Sequence, residues 1–158
     1  MSGLLLRRQA MIGVQKNAEL PVLNPSVELT LDKILTRNDP TNGENRAGAA
    51  ITDYLLCRVN DVIVYKNAVA PATMTTATGV LGNIIVYNSQ KSSADWWNCR
   101  ANGNEGSFTA ARFTGNGYVR INIVMDGMAD SYAYNRTTGV VYYAGRNTPY
   151  YGKTNIND

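Results

Sequence analysis

Apolar and polar side chains alternate along several stretches of this chain, most clearly between Gly117 and Asp126. A period of two residues is typical of a β-strand that turns one face toward a core. The larger apolar side chains occupy one set of alternate positions, which is Val119, Ile121, Ile123 and Met125. The other set is more polar and comprises Tyr118, Arg120, Asn122 and Val124. The pattern predicts a strand with one dry face, around which the sheet is built.

Similar alternation, with runs of β-branched and aromatic residues, predicts four further strands, at 27–35, 54–59, 62–66 and 80–87. Val27, Leu29 and Leu31 are expected on one face of the first of these strands. The dipeptide Asn60-Asp61 separates the second strand from the third and suits a two-residue hairpin connection. A β-hairpin is therefore predicted there.

A second hairpin is predicted near the end of the sequence. The three residues from Thr137 to Gly139 separate 132–136 from 140–144, and a three-residue loop with glycine in the left-handed conformation is a common hairpin connection. Polar stretches rich in turn residues predict loops at 36–49 and 88–106. The small, Thr-rich stretch 68–79 is predicted to be a loop with a short strand, and no helix is predicted at 144–158.

Composition supports a β-rich fold. Asn, Thr, Gly and Tyr are plentiful, and charged residues make up 17% of the chain, less than the usual fraction of about a quarter. With 158 residues the chain has the length of one domain and can bury a core without disulfides. We therefore predict an all-β fold, a single antiparallel β-sandwich of the jelly-roll-like kind, in residues 26–158.

Residues 1–25 differ from the predicted sandwich domain. Their apolar side chains occur in clumps, and Pro21 and Pro25 lie in a stretch that disfavours helix. The segment is predicted to be an extended N-terminal arm, whose apolar side chains must be buried on its own domain or on another subunit. The alternative is an ordinary first strand or short helix of the same domain. The expected assembly interface comprises Leu4, Leu5, Leu6, Arg7, Arg8, Met11, Ile12 and Val14.

Charge and hydropathy narrow the range of partners. The chain has 15 Lys and Arg against 12 Asp and Glu, for a net charge of +3, which is weak for a dedicated nucleic-acid binder, and we expect no specific nucleic acid. No apolar run approaches the roughly 18 residues of a membrane span, so no membrane partner is expected. The segment 4–8 does not match a signal peptide, which predicts a cytoplasmic product with Cys57 and Cys99 reduced.

The residue types present argue against catalysis. The chain contains no histidine, which removes the commonest general base and most zinc sites. The one carboxylate pair that could serve glycoside hydrolysis is Asp95 with either Glu105 or Asp126 opposite it. The favoured interpretation is that these acidic residues belong to turns. Asp126 and Asp130 have the spacing of two calcium ligands without the acid density of an EF-hand. We expect a non-enzymatic protein with no catalytic residues, no cofactor and no metal.

A pair of adjacent tryptophans is the sharpest local feature. Neighbouring residues of a strand point to opposite faces, so Trp96 and Trp97 would place one indole in the core and one outside. An outward indole near Arg100, with Tyr150 and Tyr151 elsewhere, would suit contact with a glycan or an aromatic anchor at a protein interface. The alternative is that both indoles cover the end of the sandwich. A glycan-binding module is thus the second functional hypothesis.

The stretch LLLRRQAM, residues 4–11, and the Asn-, Gly-, Thr- and Tyr-rich strands without a catalytic set resemble virion structural proteins of tailed bacteriophages. The opening is similar to those of small proteins from crAss-like phages of gut Bacteroidales. This resemblance implies a jelly-roll or sandwich subunit that decorates a capsid or forms a head fibre, tail or collar ring, held by its N-terminal arm. The expected partners are other virion proteins and copies of itself as a homo-oligomer, and the expected location is the virion.

Overall fold

The computed structural model describes residues 28–36, 38–66, 75–76, 79–80, 84–92, 94–97, 105–110 and 116–158, and the predicted arm at 1–25 lies outside them. These residues contain one short 3-10 helix, at Met128–Asp130. Their strands are β1 (Leu29–Ile34), β2 (Glu44–Thr52), β3 (Leu55–Arg58), β4 (Val62–Lys66), β5 (Thr75–Thr76), β6 (Gly79–Val80), β7 (Ile84–Tyr87), β8 (Ala94–Trp97), β9 (Glu105–Thr109), β10 (Asn116–Val124), β11 (Tyr132–Asn135) and β12 (Val141–Ala144).

Two antiparallel sheets make up most of the described structure. The smaller sheet has the order β9-β4-β11-β12. The larger has the order β1-β2-β10-β7-β8, and β3 also pairs with β10 beyond the end of β2. Strands β5 and β6 form a separate two-stranded pair. The all-β prediction is confirmed in this form, two antiparallel sheets in a chain that is nearly all β among its described residues.

The two sheets contribute side chains to one apolar core. Ile121 and Ile123 of β10 belong to the same cluster as Ile63 of β4 and Ala133 of β11, and all four are fully buried. Alternate residues of each strand therefore point between the sheets, as the two-residue period predicted. This shared core is what holds the edges of the two sheets near each other.

The prediction that β10 has one dry face is wrong. Arg120 and Asn122, on its more polar side, are only 7% and 3% exposed. The reason is the chain after β1, which covers this side: Asn122 Oδ1 accepts from Leu35 N–H at 2.9 Å and Asn122 Nδ2 donates to Leu35 O at 3.2 Å. Arg120 Nη1 donates to Thr41 O at 2.6 Å. Polar side chains are buried here because backbone groups satisfy them.

The predicted hairpin through Asn60-Asp61 is wrong in its pairing, although both strands exist. β3 pairs with β10 in the larger sheet, and β4 pairs with β9 and β11 in the smaller one. Asn60 N–H donates to Ala110 O at 2.6 Å and Ala110 N–H donates to Asp61 O at 2.9 Å, so a neighbouring segment supports the turn. The turn passes the chain between sheets, which lets Cys57 and Ile63 both face the shared core.

Several predicted strand and loop boundaries also need correction. Leu31 is 42% exposed, whereas Leu29 is partly buried against the shared core, so the two side chains do not share a buried face. The β1 register shifts just after Leu31, at Asp32, which has φ of 57°. Strand β2 begins at Glu44, inside the predicted 36–49 loop, and β8 and β9 occupy parts of the predicted 88–106 loop. These polar segments are strands because β1, β7 and β4 offer them main-chain partners.

The hairpin between β11 and β12 is confirmed. Gly139 has φ of 82°, in the left-handed region, and its N–H donates to Asn135 O at 2.7 Å. Asn135 N–H donates to Val140 O at 2.8 Å. Residues 145–158 contain turns and no helix, as predicted, and they pack back on this hairpin: Ile156 N–H donates to Gly139 O at 2.8 Å.

Candidate functional site

A cleft of about 490 Å³ opens between β3 and the β11–β12 hairpin. We call it the edge cleft, because β3 has a described strand partner on one side only, β10. It lies where the margins of the two sheets come together, within the size range of ligand and peptide pockets. Its apolar lining includes Leu55, Leu56, Cys57, Val140, Val141 and Tyr142.

The rim of the edge cleft carries two large apolar side chains in solvent. Leu56 is 54% exposed and Val140 is 43% exposed, whereas Leu55 and Cys57, which flank Leu56 in sequence, are buried. Single exposed apolar residues are ordinary on protein surfaces. Two of them that line one cleft form a surface suited to an apolar partner.

A chain of hydrogen bonds joins the two walls of the edge cleft. Tyr142 Oη donates to Leu56 O at 2.8 Å, across from β12 to β3. Asn135 Nδ2 donates to Tyr142 Oη at 3.1 Å and to Asp61 Oδ2 at 2.8 Å. Asp61 and Asn135 are both buried, so this network sets the width of the cleft from within.

The Asp61 carboxylate has a structural task. Its Oδ2 accepts from Arg58 N–H at 2.9 Å as well as from Asn135, and Asp61 N–H donates to Arg58 O at 3.1 Å. Aspartate often closes a turn by bonding nearby backbone in this way. The carboxylate thus holds the turn between β3 and β4 and anchors the hairpin at the same time.

The Cys57 thiol in the cleft lining is a poor nucleophile at neutral pH. Burial, and secondly the negative charge of Asp61, raise the pKa of Cys57 from 9.0 to about 12. A reactive cysteine needs a lowered pKa, because the thiolate is the nucleophile. Burial likewise raises the pKa of Tyr142, so its hydroxyl remains a donor at neutral pH. These groups offer apolar contact and hydrogen bonds.

A second surface, the tyrosine cluster, comprises Tyr132, Tyr134 and Tyr150. The Tyr132 and Tyr134 rings stack with centroids 6.1 Å apart, and Tyr150 lies 4.9 and 5.0 Å from them. Tyr132 Oη donates to Glu105 Oε2 at 2.5 Å. Burial, then a hydrogen bond with Tyr150, raises the pKa of Tyr134 to about 12. The cluster packs on the side of the smaller sheet away from the shared core, with Val64.

The residues that the sequence predicts for partner contact are described only in part. Trp96 and Trp97 lie in β8, whose backbone pairs with β7 at the margin of the larger sheet, and their side chains are outside the description. Tyr150 belongs to the tyrosine cluster on the smaller sheet, and Tyr151 is 38% exposed. The remaining predicted contacts fall outside the described residues: Leu4, Leu5, Leu6, Arg7, Arg8, Met11, Ile12, Val14 and Arg100.

Sequence analysis missed the residues that build the edge cleft. The sequence pattern places Asp61 in a two-residue turn and Asn135 near the end of a strand, with no link between them. The available signal was a pair of polar residues adjoining strongly apolar strands. Such residues are candidates for burial with a mutual hydrogen bond, because an unpaired buried polar group is costly.

In the described ranges, no group of three or more Cys, Asp or Glu is placed to hold a metal ion. Asp126, which precedes the 3-10 helix, and Asp130, the last residue of that helix, are both exposed. Over the same part of the chain, no helix is long and apolar enough to cross a membrane.

Comparison with protein-family models, with curated proteins and with solved structures found no match for this chain. Its function is therefore argued from its own residues.

Proposed function

We propose that this protein is a non-enzymatic structural subunit of a larger assembly, and that the edge cleft is one of its contact surfaces. The observation that carries the proposal is the pair of exposed apolar residues, Leu56 and Val140, on the rim of a cleft beside a strand edge that has no partner among the described residues. Open edges and apolar surface are covered in most soluble proteins, because both promote association. In this protein the exposed apolar residues lie beside such a strand edge.

The chemistry of the cleft supports binding over catalysis. Cys57 has a raised pKa and stays a thiol at neutral pH, and the Asp61 carboxylate is committed to Arg58 and Asn135. General acid–base or nucleophilic work needs a group with a pKa near the working pH or an activated nucleophile. The cleft lining instead supplies apolar area and a main-chain acceptor.

The resemblance of residues 4–11 to phage proteins supports a virion as the assembly. The proposal includes the finer form of the fold, a jelly-roll-like sandwich with an N-terminal arm. Consecutive strands lie side by side in both sheets, β1 with β2 and β7 with β8 in the larger sheet and β11 with β12 in the smaller one. Partners would be copies of the chain and other virion proteins, with the arm as a tether.

The cleft is tested by substitution at its rim. We expect the full chain to form a defined oligomer in sedimentation velocity, and the Leu56→Asp/Val140→Asp variant to lose it while keeping its circular dichroism spectrum. Leu31→Asp is the matched control, because Leu31 is 42% exposed and does not line the cleft. A wild-type chain that stays monomeric at every concentration, with and without the other virion proteins, would overturn the proposal.

The arm is tested separately. Leu5→Asp/Ile12→Asp should weaken assembly far more than Asp126→Asn/Asp130→Asn, because charges on the arm oppose burial whereas both aspartates are already exposed. Equal assembly of the two double variants would show that the arm is not a contact.

Glycan binding is the second candidate, and one observation favours it. Tyr151 is exposed beside the tyrosine cluster, so an aromatic ring is available for stacking on a sugar. A glycan array on the wild-type chain, followed by titration of Tyr151→Ala, tests it. We expect saturable binding that falls in the variant, and no response to any sugar would count against this function.

A further inference from the structure

We infer that Lys91, together with Tyr54 and Tyr118, forms a binding site for the carboxylate of an acidic sugar. Lys91 lies in the turn that follows β7, and the two tyrosines pack with Tyr87 in an apolar cluster of the larger sheet that is distinct from the shared core. The site is separate from Tyr151, on which the glycan-binding candidate is argued. It requires no assembly of subunits, so the inference goes beyond the proposed structural function.

The Lys91 ammonium is held in the angle between two tyrosine rings. Its Nζ lies 4.8 Å from the ring centroid of Tyr54 and 4.9 Å from that of Tyr118. The two ring centroids are 5.8 Å apart and the ring planes meet at 82°. An ammonium has three N–H donors, so contact with two rings leaves a donor for an acceptor in solution. The rings thus position an exposed ammonium that retains hydrogen-bonding capacity.

A second cation contacts the same tyrosine. The guanidinium of Arg120, a buried residue, lies 4.6 Å from the Tyr54 ring centroid. Its acceptors are neutral, since Nε donates to Thr52 O at 2.9 Å and Nη1 donates to Thr41 O at 2.6 Å. Within the described part of the chain, neither Lys91 nor Arg120 forms a salt bridge. Two like charges on one ring create a positive potential that a bound anion would neutralise.

The backbone of Lys91 has a conformation that lysine rarely adopts. Its φ is 60°, in the left-handed region that favours glycine and asparagine. The turn enforces this conformation, because Lys91 N–H donates to Asn88 O at 2.9 Å. Asn88 Oδ1 also accepts from the N–H groups of Gln90 and Ser92, at 3.0 and 3.1 Å. Strained residues in well-determined turns cluster at functional sites, and glycine here would relieve the strain but lose the ammonium.

The number of charges and the neighbouring surface favour an acidic sugar as the ligand. Two cations, one of them buried, match a single carboxylate and are too few for the repeated phosphates of a nucleic acid. Tyr118 pairs in the sheet with Leu56, which is 54% exposed. Sugars combine apolar C–H faces with polar edges, and partly exposed tyrosines beside an apolar side chain suit contact with such a face. A sugar carboxylate matches the ammonium and this surface together.

Calorimetric titration of the full chain tests the inference with two acidic sugars and their neutral counterparts, sialyllactose against lactose and galacturonic acid against galactose. We expect at least one acidic sugar to bind about tenfold more tightly than its counterpart, the effect of one charge-assisted hydrogen bond. Lys91→Gly should abolish this preference and leave the thermal unfolding midpoint unchanged or higher. Lys91→Asn repeats the test with a side chain that tolerates the left-handed region. Arg136→Gln, which removes an exposed charge from the smaller sheet, is the matched control and should bind like wild type.

Loss of the acidic-sugar preference in both Lys91 variants, with stability retained, supports the inference. It is overturned if wild type shows no such preference, if both variants keep it, or if sodium acetate binds as tightly as the acidic sugars. A clear fall in the unfolding midpoint of both variants would also overturn it, because the lysine would then serve the fold. Acidic-sugar binding that is lost in Tyr151→Ala and kept in Lys91→Gly would place the ligand at the other surface. Sedimentation of Lys91→Gly tests the proposed assembly independently, since Lys91 does not line the edge cleft.

Discussion

The hydroxyl of Tyr142 donates a 2.8 Å hydrogen bond to the carbonyl oxygen of Leu56, and this bond joins the margins of the two sheets. Asn135 Nδ2 donates to the same hydroxyl at 3.1 Å, so Tyr142 Oη acts both as donor and as acceptor. The bond spans 86 positions in the sequence and joins two residues that line the edge cleft. It couples the shape of the proposed contact surface to the stability of the fold.

Tyr142→Phe should destabilise the protein by about 1–3 kcal/mol, because it leaves Asn135 without one partner and removes the bond to Leu56. Urea unfolding followed by circular dichroism measures the change. Tyr151→Phe, at an exposed position, is the control and should alter stability by less than about 0.5 kcal/mol. An equal effect of both substitutions would contradict the role given to Tyr142.

Tyr143→Phe should change the free energy of unfolding in the opposite direction to Tyr142→Phe, or leave it unchanged. Tyr143 is fully buried, and within the described structure its hydroxyl has no hydrogen-bond partner. Burial alone raises its pKa. Removing an unpaired buried hydroxyl relieves its desolvation, so we expect a neutral change or a gain of up to about 1–2 kcal/mol. Loss of stability in the same urea assay would show that this hydroxyl has a partner.

Gly139→Ala should destabilise more than Gly152→Ala. Both glycines have left-handed φ, 82° and 79°, so each alanine carries a strain of roughly 1–2 kcal/mol. At Gly139 the added Cβ would also lie 2.5 Å from Asn155 Oδ1, whereas at Gly152 nothing lies within 4 Å. Because Asn155 Nδ2 donates to Thr138 O, the clash should also loosen the C-terminal segment. Thermal unfolding compares the two variants, and equal losses of stability in Gly139→Ala and Gly152→Ala would contradict the predicted clash.

Stability should fall as pH rises from about 9 to about 12, partly because of Cys57. Its folded pKa, about 12, lies above the ordinary value of 9.0. Its contribution is therefore complete below pH 9, where both states keep the proton, and is lost as the unfolded chain ionises first. Cys57→Val should make the decline shallower, by up to about 1.4 kcal/mol per pH unit.

Urea unfolding at several pH values checks this prediction, with the valine variant compared with wild type throughout. Buried tyrosines such as Tyr87 and Tyr142 also have raised pKa values, so some decline will remain in both proteins. The difference between the two slopes isolates the thiol. Identical slopes would mean that the Cys57 thiol ionises as readily in the folded protein as in the unfolded chain.

Local pattern alone determined where several strands lie and how one hairpin turns. The alternation around Ile121 predicted β10, and the position of Gly139 predicted a left-handed loop residue, because both depend on contacts a few residues apart. The β-rich composition likewise indicated the fold class. These features are encoded within short windows of sequence.

Tertiary structure decided which strands pair and which polar side chains are buried. Nothing near Arg120 in sequence shows that Thr41 and Thr52 will supply its acceptors, and nothing near Asp61 points to Asn135. Alternation defines the two faces of a strand, but not its neighbour in the sheet or what covers its second face. The edge cleft arises from β3 and β12 meeting across the sheets, so it exists only once the whole chain has folded.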